Sequence, residues 1–275
     1  MTPACATRGA ARVATLVAIL IAIGATAAAH ATASDRPAAA GVEDWQPNVT
    51  KAAAYADRRQ GDVRFAIVDP GGRMYRHHAT RTAASASVFK AMLLVTYLRR
   101  GSVKDRSLHQ NDQDLLGPMI RRSDNETATR VRDIVGKDAV ERLARAAEMR
   151  DFKWNWTWGL SRISARDQAL FFYRLEDYIP GRHEDYARRL LSSIVSWQRW
   201  GVAQARPEGW ELFFKGGWGI ATGRVNHQVA FLERGDDRVA LAILTEWSPD
   251  HQYGTETQEG VARRLLEGLP GPTGR

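Results

Sequence analysis

Apolar and polar residues along the chain fall into blocks of different period. Val13 to Ala29 is a nearly unbroken apolar stretch rich in Ala, Leu and Ile. Beyond it, Glu43 to Gln60 reads as a first helix, and Val63 to Val68 alternates and runs apolar into Asp69-Pro70-Gly71-Gly72. That tetrapeptide is a turn signal, so Arg73 to His78 is predicted to return as a second strand. The middle of the chain reads helical. Val88 to Leu98 is apolar on nearly every face and predicts a buried helix. Further helical patterns cover Asp112 to Arg122, Glu126 to Val135, Lys137 to Met149, Ala165 to Tyr178 and Glu184 to Ile194, and the alternation in Phe152 to Trp158 predicts an extended segment. Strand patterns return in Trp210 to Lys215, Arg224 to Leu232 and Arg238 to Trp247. The last two are joined by Arg234-Gly235-Asp236-Asp237, a hairpin turn signal. Thr255 to Leu266 reads as a closing helix.

Strands at both ends with helices between them argue for an α+β fold: one antiparallel sheet drawn from both chain ends, with an all-helical subdomain inserted. A length of 275 residues with 44% hydrophobic and 25% charged suits a globular protein with a sizeable core. The apolar stretch at the start is preceded by Arg8 and Arg12 and followed by Ala29-His30-Ala31 and Ala31-Thr32-Ala33, the layout of a cleavable secretory signal. The expected organisation is a signal peptide over residues 1–33, a linker over 34–42 and one catalytic domain over 43–270. The product is expected on the extracytoplasmic, cell-wall side, as a monomer without a membrane span. The single cysteine, Cys5, precedes the apolar stretch, so the mature chain would have no disulfide, metal thiolate or cysteine nucleophile. The net charge of +8 fits attraction to an anionic surface, but no basic run carries interleaved aromatics, which argues against nucleic acid.

Three short elements carry candidate chemistry. Lys90 is the only charge in the apolar helix, and a buried ammonium is costly unless paired or deprotonated. Ser87 stands one turn earlier on the same face, where its hydroxyl can meet that amine and be activated as a nucleophile. Ser123-Asp124-Asn125 follows a helical run; taken alone it reads as a helix N-cap. Lys215-Gly216-Gly217-Trp218-Gly219 closes an apolar strand, placing a cation beside a strand edge with which a substrate backbone could pair.

In this order, S-x-x-K, S-D-N and K-x-G resemble the motif set of class A β-lactamases and penicillin-binding proteins. The resemblance extends over roughly residues 43 to 268 and is nearest to the β-lactamase-related serine hydrolases of actinobacterial exported proteins. It implies a β-lactamase/transpeptidase-like fold and an acyl-enzyme on Ser87, with Lys90 as general base. Ser123 would relay a proton to the leaving nitrogen, and Lys215 would tune it. Asn125 would hold a substrate amide. The backbone N–H groups of Ser87 and of Trp218, after Gly217, would form the oxyanion hole. Lys215 would meet a substrate carboxylate, and Arg224 is a candidate for the same task.

Three departures from the family pattern qualify the function. Gly216 stands where Thr or Ser is usual, so either carboxylate binding is weakened or Thr222 supplies the hydroxyl. The 36 positions from Ser87 to Ser123 are few for a class A β-lactamase, which places a deletion near Gly101 to Asn111. No E-x-x-L-N occurs, and Asp151 and Asp167 are the only carboxylates between Glu148 and Glu176. Without a deacylating glutamate, a β-lactam acyl-enzyme should turn over slowly. The leading expectation is therefore an exported serine hydrolase acting on a small-molecule or cell-wall peptide amide or ester. A class A-like β-lactamase and a slow peptidoglycan- or β-lactam-binding module are the alternatives. No cofactor is expected. His77-His78 have no third ligand at a plausible spacing, so no metal is assigned. Trp154, Trp156, Trp158, Trp197 and Trp200 invite glycan stacking but fit core packing better.

Overall fold

The computed structural model describes residues 42–271. The expected signal peptide, and the linker up to residue 41, lie outside the described residues. The opening hairpin forms as β1 (Asp62–Val68) and β2 (Met74–His77). The closing strands are β5 (Glu211–Gly219), β6 (Val225–Arg234) and β7 (Asp237–Glu246), reached after two short strands described below. All five join one antiparallel sheet in the order β2-β1-β7-β6-β5. Strands from the two chain ends thus meet where β1 pairs with β7, with Phe65 opposite Ile243. Successive residues Val239 to Leu244 are all buried. Because successive side chains point to opposite faces, both faces of the sheet are covered.

The helices are α1 (Val49–Ala56), α2 (Phe89–Leu98), α3 (Gln110–Arg121), α4 (Asn125–Ala146), α5 (Ala165–Tyr173), α6 (Glu184–Ser192) and α7 (His251–Leu265). Every residue of α2 is buried, and α3 and α4 pack around it. Helix α5 returns to the sheet and packs on β1, β6 and β7. Helix α1 starts later than the hydrophobic pattern implies, because Asn48 caps it by accepting from the Lys51 amide at 3.1 Å. Helix α4 spans both patterns expected on either side of Gly136, which sits at φ 71° and kinks the helix where only glycine is unstrained.

Two elements differ from expectation. Phe152 to Trp158 is irregular apart from one bridge, Lys153 to Arg162. The strand that does form nearby is β4 (Arg162–Ser164), which pairs with β3 (Thr82–Ala84) in a separate two-stranded sheet. Strands of three residues are too short to show a period, yet this pair sets the entry into the site.

Candidate active site

The chain reaches Ser87 through a tightly held turn. Strand β3 ends at Ala84, the Ser85 amide donates to the Ser161 carbonyl at 2.8 Å, and the Ser85 hydroxyl donates to the Trp158 carbonyl at 3.1 Å. His227 on β6 fixes the same point from the sheet. Its Nδ1 accepts from the Thr245 amide at 3.1 Å, so the proton resides on Nε2, which donates to the Ala84 carbonyl at 2.9 Å. Burial lowers the His227 pKa to about 4 and keeps the ring neutral. Ala86 then adopts φ 43°, a left-handed value costly for a residue with a Cβ, and Ser87 lies in the short 3-10 turn that feeds α2.

Lys90, one turn on, is fully buried. Burial pulls its pKa from 10.5 to about 7, against which Asp124 exerts only a weaker upward pull. Its amine does not bond to Ser87 among the described residues. It donates to the Ser123 carbonyl and, at 2.8 Å, to Asn125 Oδ1, and lies 3.3 Å from Ser123 Oγ. The indole of Trp158 lies 4.8 Å from the same nitrogen. Ser123 is itself left-handed at φ 59°. The N-cap reading of this motif applies to Asp124, whose carboxylate accepts from the Thr127 amide at 2.8 Å, while its two neighbours face Lys90.

Lys215 approaches from β5, the edge strand. It too is fully buried and donates to Ser123 Oγ at 3.0 Å and to the Gly216 carbonyl at 2.7 Å. Burial, reinforced by repulsion from Lys90, depresses its pKa well below the usual lysine value. The Ser123 hydroxyl is therefore flanked by two amines, neither offset by a bonded carboxylate among the described residues. At Gly217 an added Cβ would sit 2.9 Å from the backbone nitrogens of Ser87 and Val88. Only glycine lets β5 run this close to the nucleophile turn, which brings the backbone of Trp218 alongside that of Ser87.

Arg224 falls elsewhere. It is exposed, at φ 50°, and the register pairs Lys215 with Val229, five residues beyond Arg224 and roughly 16 Å along the strand. It lines a cleft of about 490 Å³ with Trp218, Ile220, Val225, Pro249 and His251. The Thr222 hydroxyl donates to the Gly219 carbonyl at 3.1 Å, so it does not stand in for the hydroxyl missing at Gly216. Both carboxylates weighed as deacylating bases are occupied: Arg166 pairs with Asp151 at 3.0 Å and with Asp167 at 2.8 Å.

His227 was not legible as part of the site, since it reaches it from a distant strand with no motif of its own. Trp158 and Trp200, weighed for glycan stacking and read as core packing, reach the site from distant elements. His77 and His78 do find a third group, contrary to the sequence reading. Asp57, at the end of α1, places an oxygen 2.9 Å from His77 Nε2, and the three side chains offer ligand atoms within 4.8 Å of one another. Sequence spacing missed it because Asp57 arrives across the α1–β2 packing. Of the tryptophans, Trp156 and Trp197 are exposed, whereas Trp154, Trp158 and Trp200 are partly buried.

The fold is the one seen in class A β-lactamases and in PBP-A. The β-lactamase from Sphaerobacter thermophilus DSM 20745 superposes with a TM-score of 0.71 at 24% identity, over 81% of this chain and 97% of that one. A class A β-lactamase from Mycobacterium abscessus gives 0.70 at 18% identity, over 81% and 99%. PBP-A gives 0.68 at 14% identity, over 81% and 95%. No curated protein matches the sequence. The profile of the Beta-lactamase enzyme family matches residues 111–269, more than half of the chain, and the protein belongs to that family.

Proposed function

We propose that the protein is an exported serine hydrolase that cleaves an amide or ester, β-lactam or D,D-peptide in type, through an acyl-enzyme on Ser87. The observation that carries this reading is the Ser123 hydroxyl held 3.3 Å from Lys90 and 3.0 Å from Lys215, both buried and depressed in pKa. A neutral Lys90 amine one turn from Ser87 is a base matched to neutral pH. It takes the Ser87 proton as Oγ bonds to the carbonyl carbon. The backbone N–H groups of Ser87 and Trp218 receive the developing oxyanion. The proton then passes through Ser123 to the leaving nitrogen or oxygen, with Lys215 holding that hydroxyl in line. Asn125 binds Lys90 through Oδ1, which leaves its amide N–H groups for a substrate carbonyl.

Release of the acyl group is slow in this reading. Asp151 and Asp167 are engaged by Arg166, and Trp158 covers Lys90. A binding module that holds its acyl group is the second reading, favoured by the same observation. Export rests on the N-terminal pattern, with residues 1–33 as signal peptide, 34–42 as linker and 43–270 as the hydrolase domain. Among the described residues no helix is long and apolar enough to cross a membrane. N-terminal sequencing of the secreted product should begin at Ser34.

Labelling with a fluorescent penicillin tests the site. Ser87-dependent label that persists for many minutes is the expected result. Label that decays within seconds would mean a true β-lactamase with another deacylating group. Absence of label, with no Ser87 acylation by ester or peptide substrates, would overturn the acyl-enzyme reading.

A further inference from the structure

The side of the site occupied by the departing group is built from aromatic and aliphatic side chains. Ser123, which hands the proton to that group in the proposed mechanism, is held by Lys215, so the strand from Lys215 onward defines this side. At Gly216 an added Cβ would lie 3.2 Å from both Cζ2 and Cη2 of Trp200. The indole edge thus fills the space that a hydroxyl-bearing side chain would use. Further along, Trp200, Trp218 and His251 pack edge to face or tilted, with ring centroids 5.5 to 6.1 Å apart, and Trp197 stands on Trp218 at 6.0 Å.

The cleft of about 490 Å³ opens from this wall. Ile220, one of its lining residues, is 85% exposed, and Trp197, packed on Trp218, is 64% exposed. Apolar groups left bare beside a concave site are characteristic of ligand contact surfaces. The polar groups of the cleft floor satisfy each other, since Asn226 Oδ1 and His251 Nδ1 lie 2.6 Å apart. Lys215 shows no exposed charge. Arg224 and Asp250, of opposite charge, both line the cleft.

We infer that this subsite takes an uncharged, ring-bearing leaving group rather than a carboxylate-bearing one. The inference rests on the acyl-enzyme reading of Ser87 and names the substrate class of that site: esters, thioesters or amides whose departing half ends in an aromatic or comparably flat apolar ring. In the thioester case Ser87 Oγ bonds to the carbonyl carbon, the C–S bond breaks, and the Ser87 proton leaves on the thiol by way of Lys90 and Ser123. A ring buried on the Trp218 wall removes apolar area from water, whereas a carboxylate against that wall loses hydration while Lys215 is buried and already bonded to Ser123 and Gly216.

The test compares two thioesters that share one acyl group and have leaving thiols of similar pKa, one ending in a phenyl ring and one in a carboxylate. Hydrolysis and Ser87 acylation are followed by thiol release and intact mass. The expected result is a preference of about tenfold or more in kcat/KM for the phenyl-ended substrate. Ile220→Lys should reduce or reverse that preference. Equal use, or preference for the carboxylate, with Ser87 still acylated would overturn the inference and leave the acyl-enzyme reading intact. Binding of the same pair to Ser87→Ala protein, read by tryptophan fluorescence, separates selectivity from chemistry. Tighter binding of the phenyl-ended compound supports the subsite even where turnover is absent, and tighter or equal binding of the carboxylate overturns it.

Discussion

Two clusters of charged side chains in this protein, one partly and one fully buried, behave in opposite ways. Between α6 and the β6–β7 hairpin, Arg188 and Arg238 each bond to both Glu176 and Glu233, with Arg188 meeting Glu176 at 2.7 Å and Arg238 Nε meeting Glu233 at 2.7 Å. Burial there would raise the Glu176 pKa, but the bonds from the two guanidiniums hold it below the usual carboxylate value, and both arginines stay charged. Around Ser123, two lysine amines are buried more deeply with no bonded carboxylate among the described residues, and both pKa values fall. Burial alone does not decide whether a charged group is structural or reactive. The partner decides: a paired ion keeps its charge, and an amine without a counter-ion becomes easier to deprotonate.

The largest test of this contrast is Lys90→Met. Acylation should fall by about a thousandfold or more, since the general base is lost. Folding stability should hold or rise, by about 0.5–2 kcal/mol, because a poorly compensated buried amine is removed. Penicillin labelling rates and thermal denaturation read the two effects. The wild-type acylation rate should climb from pH 6 to pH 8 with a midpoint near 7, following Lys90 deprotonation. Between pH 7 and 10.5 the unfolded lysine binds more protons than the folded one, so this site's contribution to stability also rises with pH.

Arg188→Met is the mirror experiment. It leaves two partly buried carboxylates to share Arg238 alone and should cost about 2 kcal/mol in denaturant unfolding, with labelling per folded molecule unchanged. An activity loss as large as that of Lys90→Met would erase the distinction between the clusters.

His227 sharpens it for a neutral group. Its pKa of about 4 lies below the ordinary 6.5, so the unfolded state binds the extra proton in that window. Stability should fall by about 3 kcal/mol as pH drops from 6.5 to 4. His227→Gln, which can still accept from Thr245 and donate to Ala84, should flatten that pH dependence, as urea midpoints would reveal.

The smallest effect concerns Gly216→Thr, which should cost about 1–2 kcal/mol through contact with Trp200. Pairing it with Trp200→Ala should recover part of that cost, and a double-mutant cycle measures the coupling.

Much of this architecture was readable in advance for local reasons. The all-apolar run from Val88 onward is a helix buried on every side, and the alternating strands near the end pair through the turn at Gly235. Ser87 and Lys90 were legible because one helical turn separates them. Asp124 was readable as a cap because capping is a three-residue matter. The misses were equally physical. Phe152 to Trp158 alternates yet has no pairing strand along most of its length among the described residues, so it forms a single bridge. Strands β3 and β4 are too short to carry a period. The expected direct bond from Lys90 to Ser87 gives way to bonds with Ser123 and Asn125, which arrive from the start of α4. Arg224 sat close to Lys215 in sequence, but the β5–β6 register carries the two apart.

The amino-acid sequence by itself determined most of the helices and strands, that the fold is α+β with strands from both ends, and which three motifs are candidates for the chemistry. Those properties depend on spacing within one or two turns of chain. Only the tertiary structure decided that Lys215, 92 positions after Ser123, meets the same hydroxyl as Lys90. It also decided that His227 clamps the turn before Ser87 and that Trp200 closes the space at Gly216. These contacts depend on strand register and on the packing of distant elements, and no local period encodes either.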